Sequence, residues 1–375
     1  MTIWQQNDIK DRPAVIGPFD NSELVCLECY KPMEELYPCS ICSLPLCSKD
    51  CENKPRHSIE CKYFKNTKPN FTECERSTIY SSIAPIRMLE IQKENGYIWS
   101  LVNRLEDHLQ ERRRGEPWTF LQETVFPFME KYCEQDYSLN DLERIIGIFR
   151  TNSVKWEDKV GLETRPVGHA LCPVFSVLCH SCVNNTRYTI EDGLITVRAC
   201  IPIQAGDEIT TQYRGPNDGN ILRRPDFKKN WLFDCSCVRC QDPTELGTHS
   251  STLKCFKCRE PTLYPRTSDL ESEWECRSCG DIVTHSQALE ITLRFESLLY
   301  GKLYSDPPPS WEIFIDDLEK YLHPTHFICM KAKRLLLQIY GSRDGYTLDK
   351  MSKEQLERKI QLCNNYIGKQ ANIYK

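Results

Sequence analysis

Seven cysteines fall between residues 26 and 61 and seven more between 235 and 279, each set spaced for metal rather than for packing. The chain holds 22 cysteines in all, and a scattered one among the rest reads as buried apolar filler. With 375 residues, 40% hydrophobic and 27% charged, the chain can bury ordinary cores in two or three domains. The cysteines are therefore not the staples of a mini-protein scaffold. The opening Met-Thr-Ile-Trp-Gln-Gln-Asn-Asp-Ile-Lys-Asp-Arg-Pro has no apolar h-region, and no stretch is long and apolar enough to span a bilayer. Thiols in the nucleus or cytoplasm stay reduced, so metal thiolates are the expected use of the clusters. A net charge of −5 argues against direct nucleic-acid binding.

The first cluster reads Cys26-x2-Cys29, Cys39-x2-Cys42, Cys47-x3-Cys51 and His57-x3-Cys61. These are eight ligands in four close pairs, enough for two tetrahedral zinc ions. A Cys-x2-Cys turn lets both sulfurs face one metal, and the x3 pairs sit one helical turn apart. A histidine among the ligands speaks against a disulfide or redox cluster. Lys49, Lys54, Arg56, Lys62, Lys65 and Lys68 fall between residues 49 and 68, over the end of the cluster and just beyond it. They read as a solvated helix face, with a docking surface for an acidic or Pro-rich peptide as the alternative. In the second cluster Cys235-x-Cys237-x2-Cys240 supplies three thiolates, one short of a closed site. Cys255-x2-Cys258 and Cys276-x2-Cys279 complete a zinc ribbon, read as a structural staple.

Between the clusters, apolar residues recur at three- and four-residue intervals from Cys61 to about Trp156, as over 79–109 and 139–149, predicting helices. Ser138 stands at an N-cap position. Arg112-Arg113-Arg114 reads as a helix C-terminus in solvent. Further on, 189–197 and 200–211 read as short strands, with turn signals at Glu191-Asp192-Gly193 and Gln204-Ala205-Gly206-Asp207. Four helices are expected in the tail, over 288–304, 311–322, 326–340 and 352–367.

Two strings go further. Leu178-Cys179-His180-Ser181-Cys182-Val183-Asn184-Asn185 and Ala205-Gly206-Asp207-Glu208-Ile209-Thr210-Thr211-Gln212-Tyr213 together resemble the SET-domain signature. That signature is Asn-His-Ser-Cys-x-Pro-Asn, then Gly-Glu-Glu-Ile and a Tyr. The eight-ligand cluster resembles a MYND finger. With the Cys-x-Cys-x2-Cys that follows, the chain resembles the SET-MYND family over nearly its whole length. Thr151-Asn152-Ser153, Leu322-His323-Pro324-Thr325-His326 and Lys359-x3-Cys363 belong to the same resemblance, whose divergent positions are those of an arthropod-like branch.

The resemblance implies an α+β fold: a small all-β SET core with a helical insert, a MYND zinc finger, a post-SET zinc site plus zinc ribbon, and a C-terminal α-helical, tetratricopeptide-like bundle. The matching segments are 1–25 (N-terminal remnant of SET), 26–61 (finger), 62–150 (insert), 151–232 (SET core), 235–279 (post-SET site and ribbon) and 286–375 (bundle). It implies about four zinc ions, interleaved in the finger. Cys26, Cys29, Cys47 and Cys51 would hold one, and Cys39, Cys42, His57 and Cys61 another. Cys182 would complete the site of Cys235, Cys237 and Cys240, and Cys255, Cys258, Cys276 and Cys279 would hold the ribbon ion.

By the same resemblance the activity would be S-adenosylmethionine-dependent methylation of lysine in a histone or non-histone protein. Tyr213 would be the catalytic tyrosine, and Asn152 and His180 cofactor contacts. The sequence departs from the pattern in four places. The family's Gly-x-Gly turn has no counterpart before residues 9–17, Cys179 replaces the signature Asn, Asn184 replaces Pro, and Trp231 stands where a second Tyr is common. These departures define the alternative. It is a non-catalytic adaptor or transcriptional corepressor whose finger and bundle bind partner peptides or chromatin-associated proteins.

Overall fold

The computed structural model describes residues 8–373 apart from 72, 134–136, 161–162, 216 and 303–305. Residues 1–7 of the expected N-terminal remnant, 303–304 of the first tail helix and 374–375 of the bundle thus lie outside the described residues. The chain folds as two compact units, one made of 1–179 and 185–211 and the other of 180–184 and 212–375.

In the first unit the cysteine-rich segment forms a two-residue ladder, Tyr37–Pro38 against Pro45–Leu46, followed by the helix Pro55–Phe64. Proline at the first helical position lacks only an N–H that would have been orphaned there. The helix Arg76–Glu94 is buried on nearly every side between 78 and 89, which makes it the central element of this unit's core. The helix expected over 79–109 is broken after Glu94. There the Asn95 side chain accepts from the Ile98 N–H and caps a new helix, Gly96–Val102.

Ser138 caps Leu139–Asn152 by accepting from the Asp141 N–H at 3.0 Å. That helix stops at Asn152, short of the expected limit near Trp156. Ser153 is extended and Val154–Val160 is a strand, because its β-branched and aromatic residues find a partner in Glu163–Leu171. The basic run does close a helix, Leu109–Arg112, with Arg113 and Arg114 exposed beyond it; Arg112 is half-buried and donates to Thr151 Oγ1 at 2.9 Å, and Arg113 pairs with Glu143.

Two three-stranded antiparallel sheets complete this unit. One orders Val15–Gly17, Glu163–Leu171 and Val154–Val160; the other orders Ile9–Asp11, Leu194–Ala199 and Thr186–Glu191. Asp192 and Gly193, at φ of 51° and 69°, form the two-residue turn of the second hairpin. In the first sheet Gly17 and Gly168 touch, and a Cβ on Gly168 would lie 2.0 Å from the Gly17 carbonyl oxygen. The strand expected over 200–211 shrinks to Thr210–Thr211. Pro202 removes a ladder donor, and the Gln204 N–H bonds the Asp207 carboxylate and closes a turn instead.

The second unit begins with the helix Asn220–Asn230 and a short turn of helix, Val238–Gln241. Leu263–Pro265, Trp274–Cys276 and Ile282–Val283 form a small antiparallel sheet within the ribbon. Four helices follow: His285–Gly301, Pro308–Glu319, Phe327–Ile339 and Lys353–Ile373. Thr284 and Gln287 close a reciprocal capping box at the first of them. Leu263 and Trp274 of the ribbon share one buried apolar core with Trp311, Ile315, Phe327 and Leu336 of the bundle. Among the described residues no helix is long and apolar enough to cross a membrane.

Candidate functional site

Four Cys-x2-Cys turns share one backbone design. Cys26, Cys39, Cys255 and Cys276 each accept from the N–H four residues on, at 2.8–3.0 Å, and each donates to the carbonyl five residues on, at 2.8–3.0 Å. The fifth residue of each turn (Tyr30, Ser43, Arg259, Gly280) sits at φ between 57° and 73°, the left-handed geometry that folds the turn back under its two sulfurs. Cys237-x2-Cys240 has the same spacing but starts the short helix Val238–Gln241 instead, so it is the left-handed fifth residue together with the spacing that makes this turn.

The structure brings sixteen ligands into four groups: Cys26, Cys29, Cys47 and Cys51; Cys39, Cys42, His57 and Cys61; Cys182, Cys235, Cys237 and Cys240; and Cys255, Cys258, Cys276 and Cys279. Ligand atoms within each group lie within 4.8 Å of one another. Tetrahedral zinc with bonds of about 2.3 Å sets sulfurs about 3.8 Å apart. Observed separations include 3.5 Å for Cys47–Cys51, 3.6 Å for Cys182–Cys240 and for Cys258–Cys276, and 3.9 Å for Cys39–Cys61. A disulfide would need about 2.05 Å. The chain therefore carries four clusters whose donors fit zinc.

Each buried cluster is held by an ionic partner that the spacing did not announce. His57 turns Nε2 toward Cys42 at 3.5 Å and Nδ1 toward Glu60 at 3.2 Å, the carboxylate–imidazole arrangement that orients a metal ligand. Glu60, fully buried, also takes two hydrogen bonds from Arg87, at 2.8 and 2.6 Å. Burial pushes the Glu60 carboxyl up, but Arg87 and His57 outweigh it and hold the group below its ordinary value. The only sequence signal for Glu60 is its place three residues after His57 on one helix. Arg87 gave none.

In the second unit Arg223 plays the matching part. Its Nε lies 3.2 Å from Cys182 Sγ and its Nη2 3.9 Å from Cys240 Sγ. Four thiolates around a divalent ion leave a net double negative charge, and a buried guanidinium offsets part of it. Glu245 is shared by Arg223 at 3.2 Å and Arg239 at 2.9 Å, all three side chains being at most 1% exposed.

His180 and Tyr213 meet beside this cluster. The Tyr213 N–H donates to His180 Nδ1 at 3.1 Å, and His180 Nε2 lies 3.3 Å from Cys182 Sγ. The His180 ring packs on Phe227 with centroids 4.2 Å apart, and Tyr213 lies 5.7 Å from Trp231 and 6.2 Å from Phe233. Tyr213, Trp231 and Phe233 are half-buried. Their faces are the surroundings that a methyl-bearing cation, a sulfonium or an ammonium, takes favourably. By that chemistry the residues of this unit fit S-adenosylmethionine. Asn152 belongs to the other unit, at the end of its helix. Its side-chain amide donates to the Glu106 and Ile148 carbonyls, each at 2.8 Å, and its own carbonyl accepts from Ser176 Oγ. Cys179 is exposed, and a hydrogen bond to Glu208 pushes its thiol up, away from nucleophilic use.

The family model of the SET domain matches residues 18–214. SET domain-containing protein SmydA-8, isoform A, of Drosophila melanogaster is 27% identical over 341 residues, 86% of this chain and 71% of that protein. Histone-lysine N-methyltransferase ASHR1 of Arabidopsis thaliana is 26% identical over 288 residues, 72% of this chain and 58% of its own length. Histone-lysine N-methyltransferase SMYD3 of Homo sapiens is 25% identical over 227 residues, 58% of this chain and 52% of its own, so the chain matches about half of that protein.

Proposed function

This chain belongs to the SET domain family, and on that premise we propose that it is a protein-lysine N-methyltransferase with Tyr213 as its catalytic hydroxyl. Its substrates are proteins; histones are the class proposed, after the names of its relatives. The observation that carries the reading is the half-buried aromatic cluster of Tyr213, Trp231 and Phe233, with the Tyr213 backbone anchored to His180.

S-adenosylmethionine, when bound, supplies a methyl group on a sulfonium. The residues of this chain have the remaining tasks. A lysine amine can attack the methyl carbon only with its lone pair free, so it must be neutral and its proton leaves to solvent before attack. The Tyr213 hydroxyl, which can accept as well as donate, holds the amine nitrogen in line. Trp231 and Phe233 exclude water, and their faces favour positive charge at the reacting centre. His180 is the proposed further cofactor contact, through its backbone.

The test is methyl transfer from labelled S-adenosylmethionine to a histone and protein pool by the zinc-loaded chain. Tyr213→Phe is expected to lower kcat about 100-fold, the scale of losing one hydroxyl aimed at a reacting centre. Calorimetric titration that gives no heat at millimolar cofactor would sink the enzyme and leave a non-catalytic adaptor.

A further inference from the structure

We propose that His180 is a positioning residue that couples the Cys182–Cys235–Cys237–Cys240 metal cluster to the backbone of Tyr213. The inference rests on the catalytic reading of Tyr213 for its functional consequence, but not for its geometry.

A backbone N–H can only donate, so the 3.1 Å contact from Tyr213 N requires a lone pair on His180 Nδ1. A neutral imidazole with an unprotonated Nδ1 carries its proton on Nε2, which faces Cys182 Sγ at 3.3 Å. The sulfur is then the acceptor, a role that a metal-bound thiolate fills and that a neutral thiol fills poorly. Each end of the ring therefore fixes the other. Metal on Cys182 keeps Sγ an acceptor and the proton on Nε2, and that tautomer keeps Nδ1 open to Tyr213. Phe227, 4.2 Å away, and Phe233, 5.9 Å away, pack against the ring. The imidazole is already committed at both nitrogens, so its side chain serves the metal and the tyrosine, whatever cofactor contact its backbone makes.

Two substitutions separate the arms. Asn places an oxygen near the Nδ1 position and keeps the acceptor for Tyr213 N–H while losing the donor to sulfur. Gln places its NH2 near the Nε2 position and keeps the donor while losing the acceptor. Phe keeps the ring and loses both. The full chain, loaded with zinc, is read three ways: long-range proton–nitrogen NMR of the His180 ring, zinc release to a chromogenic chelator, and methyl-transfer kinetics.

In the wild type the NMR signature should be the Nε2-protonated tautomer. His180→Phe and His180→Asn should release one of the four zinc ions about 10-fold faster or more, the scale of losing a contact behind a metal ligand, with His180→Gln near wild type. His180→Gln should lower kcat more than His180→Asn does, with KM for the cofactor little changed. An Nδ1-protonated ring, or zinc release unaltered in all three variants, overturns the coupling. A loss that falls wholly on cofactor KM makes His180 an ordinary cofactor contact. Should the wild type transfer no methyl, the catalytic reading fails by itself, and the NMR and zinc-release arms still decide the coupling.

Discussion

Glu60 has its two oxygens committed to His57 and Arg87 inside a region that water does not reach. Removing it would leave the Arg87 guanidinium buried without its carboxylate. Glu60→Ala is therefore expected to cost about 3–5 kcal/mol of unfolding free energy, measured by denaturant titration. It should also weaken zinc at Cys39, Cys42, His57 and Cys61 about 10- to 100-fold in chelator competition, because His57 loses the partner that orients it. Asp218 gives a pH-dependent counterpart. Burial pushes its carboxyl up, but Lys331 at 2.9 Å and Arg214 at 2.8 Å hold it below its ordinary value. A depressed folded-state value stabilises the fold above the unfolded value, near pH 4, and the contribution disappears as pH falls through the lower folded one. Asp218→Asn should thus cost about 1.5–3 kcal/mol at pH 7, and its gap from wild type should close as unfolding is followed down toward pH 3. Most metal ligands were legible because their spacing is local; Cys182, 53 residues before Cys235, was placed only by the family resemblance. Arg87, 27 residues from Glu60 in sequence, and Arg223, 41 from Cys182, were not, since only folding brings them near.

At the level of elements, helices announced themselves more fully than strands, though the hairpin turning at Asp192-Gly193 was also legible. The tail pattern placed four helices close to their observed spans, and Ser138 capped the helix it was expected to cap. A helix is specified by neighbours one turn away, whereas Val15–Gly17 owes its strand to a register with His169–Leu171, more than 150 residues on. The extension of helix past Asn152 and the long strand over 200–211 failed for the same reason: pairing partners and Pro202 decided them, not periodicity. The same distant pairing makes a sharp prediction. Gly168→Ala would force a Cβ into the Gly17 carbonyl, and the strands must part to admit it. A loss of about 2–3 kcal/mol is expected by thermal or denaturant unfolding, whereas Ala at Gly215, where a Cβ meets nothing within 4 Å, should change little.

Across the whole molecule, sixteen ligands serve four sites, and metal analysis of the purified chain should give about four zinc ions. Two or fewer would break at least two of the ligand sets. The units are not successive halves, because 180–184 leaves the first stretch of chain to join the second unit and 185–211 returns. A polypeptide starting at residue 212 would keep the ribbon and bundle but lack Cys182. It should bind only one zinc tightly, at the ribbon, and show the three remaining thiols of Cys235, Cys237 and Cys240 reactive to a thiol reagent.

That crossing has a consequence for how such a chain can change over generations. The finger at 26–61 and the ribbon at 255–279 are each an uninterrupted run, so either could be gained, lost or traded as a cassette. The Cys182 cluster is written in two places in the gene. A recombination breakpoint anywhere between them hands the descendant three thiolates without their fourth, so this stretch must be inherited as a block.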